Sequence, residues 1–299
     1  MRVMNISEKR FKELVPLELP EDIYNMESDL YIIEEKTKWL KRKYVLKKFC
    51  NDVDTVFSNK LYTINELIGK KDEIGIEELI MPEKLISVYG KIVGYTMPLI
   101  DNINFKHVLT SIKFSNEQKI AYFKEIGEIL NKMKKVRQYT SITDFYLNDL
   151  HENNFILNKN TGRINVVDMD SCKINGNSTF ISRYLFPFSP ISDVSKYVQL
   201  EQIQSVGGVY KIDENTDLFC YIVMILNYLS GTKITSLSID EYYDYLSYLH
   251  SIGVSYELID KFALVYTGHD NVNPYEYLDE LVNVMGRSSY KVYEYIKKK

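Results

Sequence analysis

A short apolar hairpin flanked by oxygen-bearing side chains constrains this chain more than any other stretch. Asn154-Phe-Ile-Leu157 reads as one strand, Lys159-Asn-Thr-Gly162 as a turn, and Ile164-Asn-Val-Val167 as the returning strand. Asn and Gly between two short apolar runs signal a reversal of direction. With the turn centred on Thr161, antiparallel pairing sets Asn154 beside Asp168 at the open end. Asp149 stands on the loop leading in. Three oxygen-bearing side chains then converge on one spot. Such a set suits Mg²⁺, which takes oxygen ligands and is usually held by one or two carboxylates together with substrate phosphates.

Composition removes several alternatives. A chain of 299 residues with 45% apolar and 26% charged residues fits one large domain or two lobes. The net charge of −4 implies no broad attraction to nucleic acid or to an anionic membrane. The basic segment 287–299 reads as a solvated tail. Cys50, Cys172 and Cys220 are odd in number and far apart, so neither a disulfide framework nor a Cys-pair zinc site follows, and a reducing cytoplasm is the expected compartment. His107, His151, His250 and His269 are too scattered for a metal cluster. Residues 1–20 lack the unbroken apolar core of a signal peptide. The most apolar run, residues 218–229, is too short to span a bilayer.

In chain order, residues 1–22 form an irregular lead-in with Pro16 and Pro20. Strand-like material begins at Ile23 and recurs in residues 30–34 and 43–49. In the latter, Val45, Lys47 and Phe49 share one face, while Tyr44, Leu46 and Lys48 share the other. Residues 51–70 predict a helix whose stripe is Val53, Phe57, Leu61, Ile64 and Ile68, with Glu66 off the stripe and Gly69 as its end. Residues 85–89 and 92–99 predict two strands about Gly90-Lys91. Ser115-Asn-Glu-Gln118 is a capping-box pattern that opens a long helix to about Val136. Residues 171–196 are polar and irregular, a length that is often functional. Residues 218–229 are apolar nearly all round and predict a buried helix, closed by Ser230-Gly231 and begun near Asp217. Amphipathic helices are expected over 239–249, 255–265 and 273–285.

This order of parts resembles the protein kinase superfamily in a divergent, bacterial-looking form, over roughly residues 25 to 285. Tyr44-Val-Leu-Lys47 stands where that family has Val-Ala-Ile-Lys. Leu147-Asn148-Asp149 stands where it has His-Arg-Asp, and Asp149 through Asn154 matches its Asp-(four)-Asn catalytic loop. Asp168-Met169-Asp170 stands in place of Asp-Phe-Gly, and Thr216-Asp217 with the apolar run resembles the helix that anchors the catalytic loop. The resemblance implies an α+β, bilobal fold. A small antiparallel-sheet N-lobe would cover 23–100 and a mainly helical C-lobe 101–286, with the lead-in 1–22 and the basic tail 287–299 outside them.

The resemblance also implies roles. Lys47 would hold the α- and β-phosphates of ATP and pair with Glu66. Asp149 would orient the acceptor hydroxyl and take its proton, while Asn154 and Asp168 would hold Mg²⁺. Val45 and Ile156 would sandwich adenine, and Met97–Leu99 would offer backbone to the base. Asp217 would bond the catalytic-loop backbone. His151 gives the loop the Asp-Leu-His form seen in aminoglycoside phosphotransferases, which places it beside the catalytic Asp149. No glycine precedes Gly69, so bulky residues 25–30 stand where the family has its glycine-rich loop, and they keep the backbone farther from phosphate than glycine would. The expected function is ATP- and Mg²⁺-dependent transfer to a protein hydroxyl. A small-molecule kinase of the aminoglycoside phosphotransferase type is the first alternative, and a nucleotide-binding or scaffolding module the second.

Overall fold

The computed structural model describes residues 2–19, 28–36, 41–49, 54–176, 213–267 and 272–289. Ile23, Cys50, Val53, His269, residues 25–27, 177–212 and 290–299 therefore lie outside the described residues, and with them most of the expected long loop and tail. The described residues form a mixed α and β protein with a six-stranded, mostly antiparallel sheet, two smaller antiparallel sheets and a larger set of helices.

The longest strands of the six-stranded sheet are β3 (Ser28–Lys36) and β4 (Lys41–Phe49), paired antiparallel along their whole length. The alternation of β4 is real and buried on both sides. Tyr44 and Leu46 pack with Ile6, Ile33 and Ile86 on one face. Val45 packs with Ile64, Leu85, Tyr95 and Met97 on the other, and Lys47 shares that face. Two further strands, β5 (Lys84–Val88) and β6 (Lys91–Pro98), form the expected hairpin. Tyr89 (φ 49°) and Gly90 (φ 77°) make its turn, the two positive φ values that a two-residue hairpin loop of this twist requires.

Residues 2–19 depart from the expected irregular lead-in. They contain β1 (Val3–Asn5), a helical turn α1 (Glu8–Lys12) capped by Ser7, and β2 (Val15–Pro16). The sheet order is β1-β5-β6-β4-β3-β2, with β1 parallel to β5. Strands this short carry no readable period, and their partners lie far along the chain. Only tertiary pairing reveals them.

Helix α2 (Asp54–Ile74) outruns its expected end. Gly69 sits within it on the exposed side, and the helix stops before Gly75, whose φ of +60° suits a terminating glycine. Its buried face runs through Lys60, Thr63, Ile64, Leu67 and Ile74, a helical spacing displaced from the Leu61–Ile68 stripe. Leu61 and Ile68 are only partly buried.

The helical half is built from α3 (Phe105–Thr110), α4 (Asn116–Tyr139), α5 (Glu214–Ser230), α6 (Ile239–Ser251) and α7 (Tyr256–Tyr266). The capping box of α4 forms as expected, with Ser115 and Gln118 bonding each other's backbone N–H. Helix α5 is buried nearly all round, capped by Asp213 at its start and by left-handed Gly231 at its end. The stretch expected as a helix over 273–285 runs instead as 3₁₀ turns from Tyr275 to Asn283. It lies against α4 at Gly127, where any side chain would collide with Tyr275 and with the Tyr221 hydroxyl.

Candidate active site

The hairpin forms as β7 (Phe155–Asn158) and β8 (Ile164–Val166), but one register step from the expected pairing. Val166 pairs with Phe155, and the N–H of Val167 donates to the carbonyl of Asn154 at 2.9 Å. Asn154 therefore faces Val167, and Asp168 follows one residue beyond. The reason lies in the turn. Asn158 accepts the N–H of Asn160 through its side chain and that of Gly162 through its carbonyl, so the loop closes one residue tighter than a turn centred on Thr161. Asp168 then adopts φ 63° and ψ 40°, a left-handed conformation that is rare for a non-glycine residue and turns the chain at once into a buried 3₁₀ turn, Met169–Ser171.

That turn delivers two carboxylates to Lys47. The ammonium of Lys47 pairs with Asp168, and it lies 2.9 Å from Oδ1 of Asp170. Asp170 also takes the Tyr95 hydroxyl at 2.9 Å and the ammonium of Lys60 at 2.9 Å. Asp170 is fully buried, whereas the Asp168 side chain keeps about a third of its surface open. Burial opposes charge on Lys47, yet Asp168 and Asp170 outweigh it and hold its pKa well above the usual amine range. Burial would likewise raise Asp170, but Lys47 and Lys60 outweigh it and keep that carboxyl well below its ordinary value. Asp168 is raised, by burial first and by the like charge of Asp170, with Lys47 opposing.

The loop before the hairpin is held from below. The N–H groups of Leu147 and Asn148 each donate to a different oxygen of Asp217, both at 2.8 Å. Burial of Asp217 pushes its pKa up to about 6 against these two donors. Asn148 has φ 65°, and its side chain donates to the Ser171 carbonyl at 3.2 Å, which ties the loop to the Asp170 turn. Beyond it, Asn154 donates from Nδ2 to the carbonyl of Asp149 at 2.9 Å and to Asp149 Oδ2 at 3.3 Å. His151 Nδ1 accepts the N–H of Asn153 at 3.2 Å, so its proton sits on Nε2, which lies 3.5 Å from Asp149 Oδ2.

The expected site residues are distributed as follows. Asn154 is hydrogen-bonded to Asp149, with His151 3.5 Å from the same carboxylate, and Lys47 with Asp168 forms a second group. Val45, Met97 and Leu99 share an apolar cluster with Val167, the residue before Asp168. Ile156 is buried but belongs to none of the apolar clusters that hold its neighbours Phe155 and Leu157. The expected pairing of Lys47 with Glu66 is not what the chain adopts. Glu66 accepts from Asn175 Nδ2 at 2.8 Å, because the inward face of α2 passes through Lys60 and Ile64 and leaves Glu66 to one side. Lys60, Tyr95 and the buried role of Asp170 were missed. Lys60 stands one helical turn before Ile64, and that spacing was the available signal.

The donor set suits a hard cation. Asn154 gives its amide hydrogens to Asp149 and thereby leaves its carbonyl oxygen for another partner, while Asp168 stays partly open. Among the described residues, no group of three or more His, Cys, Asp or Glu side chains stands ready to hold a metal, so phosphate oxygens or water would complete such a sphere. A cavity of about 450 Å³ lies elsewhere, lined by Arg2, Arg42, Tyr44, Lys71 and Lys84 among others. Lys71 pairs there with Glu83 at 3.2 Å and Lys84 with Glu35 at 2.6 Å, so two of its cations are already matched.

No family model matches the chain, and no curated protein matches it. Among the described residues, no helix is long and apolar enough to cross a membrane.

Proposed function

We propose that this chain is an ATP- and Mg²⁺-dependent phosphotransferase with a protein kinase-like, bilobal arrangement, acting on a protein hydroxyl. The sheet with α2 would be the smaller lobe and the helical half the larger. The observation that carries this reading is the meeting of Lys47 with Asp168 at the open end of a hairpin whose partner strand, at that same end, carries the Asp149–Asn154 hydrogen bonds. Phosphate-binding cation, carboxylate and oxygen ligand are then disposed about one strand pair.

In the reaction, the acceptor oxygen attacks the γ-phosphorus and its proton passes to Asp149, while the bond to the β-phosphate oxygen breaks and ADP leaves with the electron pair. Lys47 draws charge off the phosphates, and Asn154 fixes the Asp149 carboxylate through Nδ2. Asp168 and the Asn154 carbonyl oxygen would hold Mg²⁺, which when bound neutralises charge on the phosphates. Catalysis of this kind rests on positioning and fixed charge.

The test is label transfer from γ-labelled ATP by wild type beside Asp149→Asn and Asp168→Asn. Transfer that needs Mg²⁺, is lost in both variants, and leaves nucleotide binding intact in Asp149→Asn is expected. Undiminished transfer by Asp149→Asn would sink the reading. Stabilisation by ATP without turnover would mark a binding module instead.

The approach of His151 Nε2 to Asp149 favours a second reading, a small-molecule kinase, in which an imidazole supports the base. A panel of polypeptides and small hydroxyl compounds as acceptors separates the two.

A further inference from the structure

Helix α2 brings a cation to the Lys47 site. Lys60 Nζ lies 2.9 Å from Asp170 Oδ2, and Lys47 Nζ lies 2.9 Å from Asp170 Oδ1. Asp170 is 0% exposed, and the Lys60 side chain is 11% exposed. The acidic partner expected on α2, Glu66, accepts instead from Asn175. We infer that Asp170 is the carboxylate that positions Lys47, and that Lys60 is a positioning residue acting through Asp170. This rests on the phosphotransferase reading of the same site.

Asp170 is a buried carboxylate matched by two ion pairs. Taking a carboxylate out of water is costly unless opposite charge is placed against it. Asp170 has a separate lysine for each oxygen, with Tyr95 as a third donor. Lys47 therefore serves a single oxygen of Asp170. An ammonium has three donors. One goes to Asp170 and one to Asp168, and the third stays available for a phosphate. Without Lys60, Asp170 would keep one cation, and Lys47 would be drawn further into the carboxylate and away from any ligand. The same contact links the seating of α2 to Lys47: Lys60 reaches Asp170 only while its helix packs against the Met169–Ser171 turn.

The experiment uses the full chain. Nucleotide affinity is measured by ATP titration, and the Lys47 ammonium is followed by ¹⁵N resonance in lysine-labelled protein. Lys60→Met is expected to weaken ATP about 10-fold, the size of coupling seen between contacting charged groups. It should also move the Lys47 resonance. Lys60→Arg restores both, and Glu66→Gln, which keeps an acceptor for Asn175, changes neither. In the Asp170→Asn background, Lys60→Met should have no further effect. That double variant buries no unpaired charge, so it carries the test should Lys60→Met alone fail to fold. The proposal is overturned if Lys60→Met leaves the Lys47 resonance unmoved, if Glu66→Gln acts as strongly as Lys60→Met, or if the two changes at Lys60 and Asp170 simply add. Absence of label transfer by wild type would retire the phosphotransferase reading alone, because the resonance needs no turnover.

Discussion

The carboxylate of Asp217 accepts the backbone N–H of Asn148 at 2.8 Å, and Asn148 has a φ of 65°. A buried side chain on α5 thus holds a left-handed residue one position before Asp149. Asp217→Ala leaves the N–H groups of Leu147 and Asn148 without their acceptor. A net loss of about 1–3 kcal/mol is expected, the usual cost of orphaning a buried donor. Urea denaturation near pH 4, where the gap is expected to be widest, measures it, and a loss below a few tenths there would show that the loop is held by other contacts.

Asp217 also predicts a pH dependence. Its pKa is about 6 when folded, above the ordinary carboxylate value. The native state then binds the extra proton, so stability from this group is present below the unfolded pKa and is lost as pH rises through the folded one. The window runs from about pH 4 to about pH 6, and the loss is about 3 kcal/mol. The stability gap between wild type and Asp217→Ala should be widest near the acid end of that window and narrow toward neutrality. A gap that stays constant or widens as pH rises contradicts the assignment.

Gly94 on β6 makes the closest approach to β4. A Cβ there would strike the carbonyl oxygen of Lys47 and press on Lys48. Gly94→Ala is expected to destabilise by about 1–3 kcal/mol through overpacking and to weaken ATP binding, because the obstruction bears on the backbone that carries Lys47. Gly69→Ala is the control. Nothing lies within 4 Å of its Cβ, and it sits inside α2. That change should stabilise by about 0.5–1 kcal/mol. Thermal unfolding of the two variants should move in opposite directions.

His151 reaches Asp149 while its other ring nitrogen is held by Asn153. If it orients the base, His151→Ala lowers kcat by up to about 10²-fold, as misplacement of a reacting group does, with ATP affinity little changed. Steady-state kinetics with separate nucleotide titration check this. A large rise in KM for ATP with kcat intact would assign His151 to nucleotide binding instead.

Much of the architecture was legible because its signals are local. Alternation in residues 43–49 put Val45 and Lys47 on one face, Ser115 and Gln118 announced the start of α4, and the apolar run after Asp217 announced a buried helix. The hairpin was legible to within one register step. What the chain alone determined, therefore, was where the longer strands and most of the helices run and which face of β4 carries Val45 and Lys47, since steric period and capping act over a few residues. Tertiary structure decided the rest. It recruited residues 3–5 and 15–16 into the sheet, set Val167 rather than Asp168 opposite Asn154, and chose Asp170 over Glu66 as the partner of Lys47. Those choices depend on which long side chains reach a common point after packing. An ion pair between residues far apart in sequence leaves no period to read, and burial makes its matching obligatory only once the fold has closed around it.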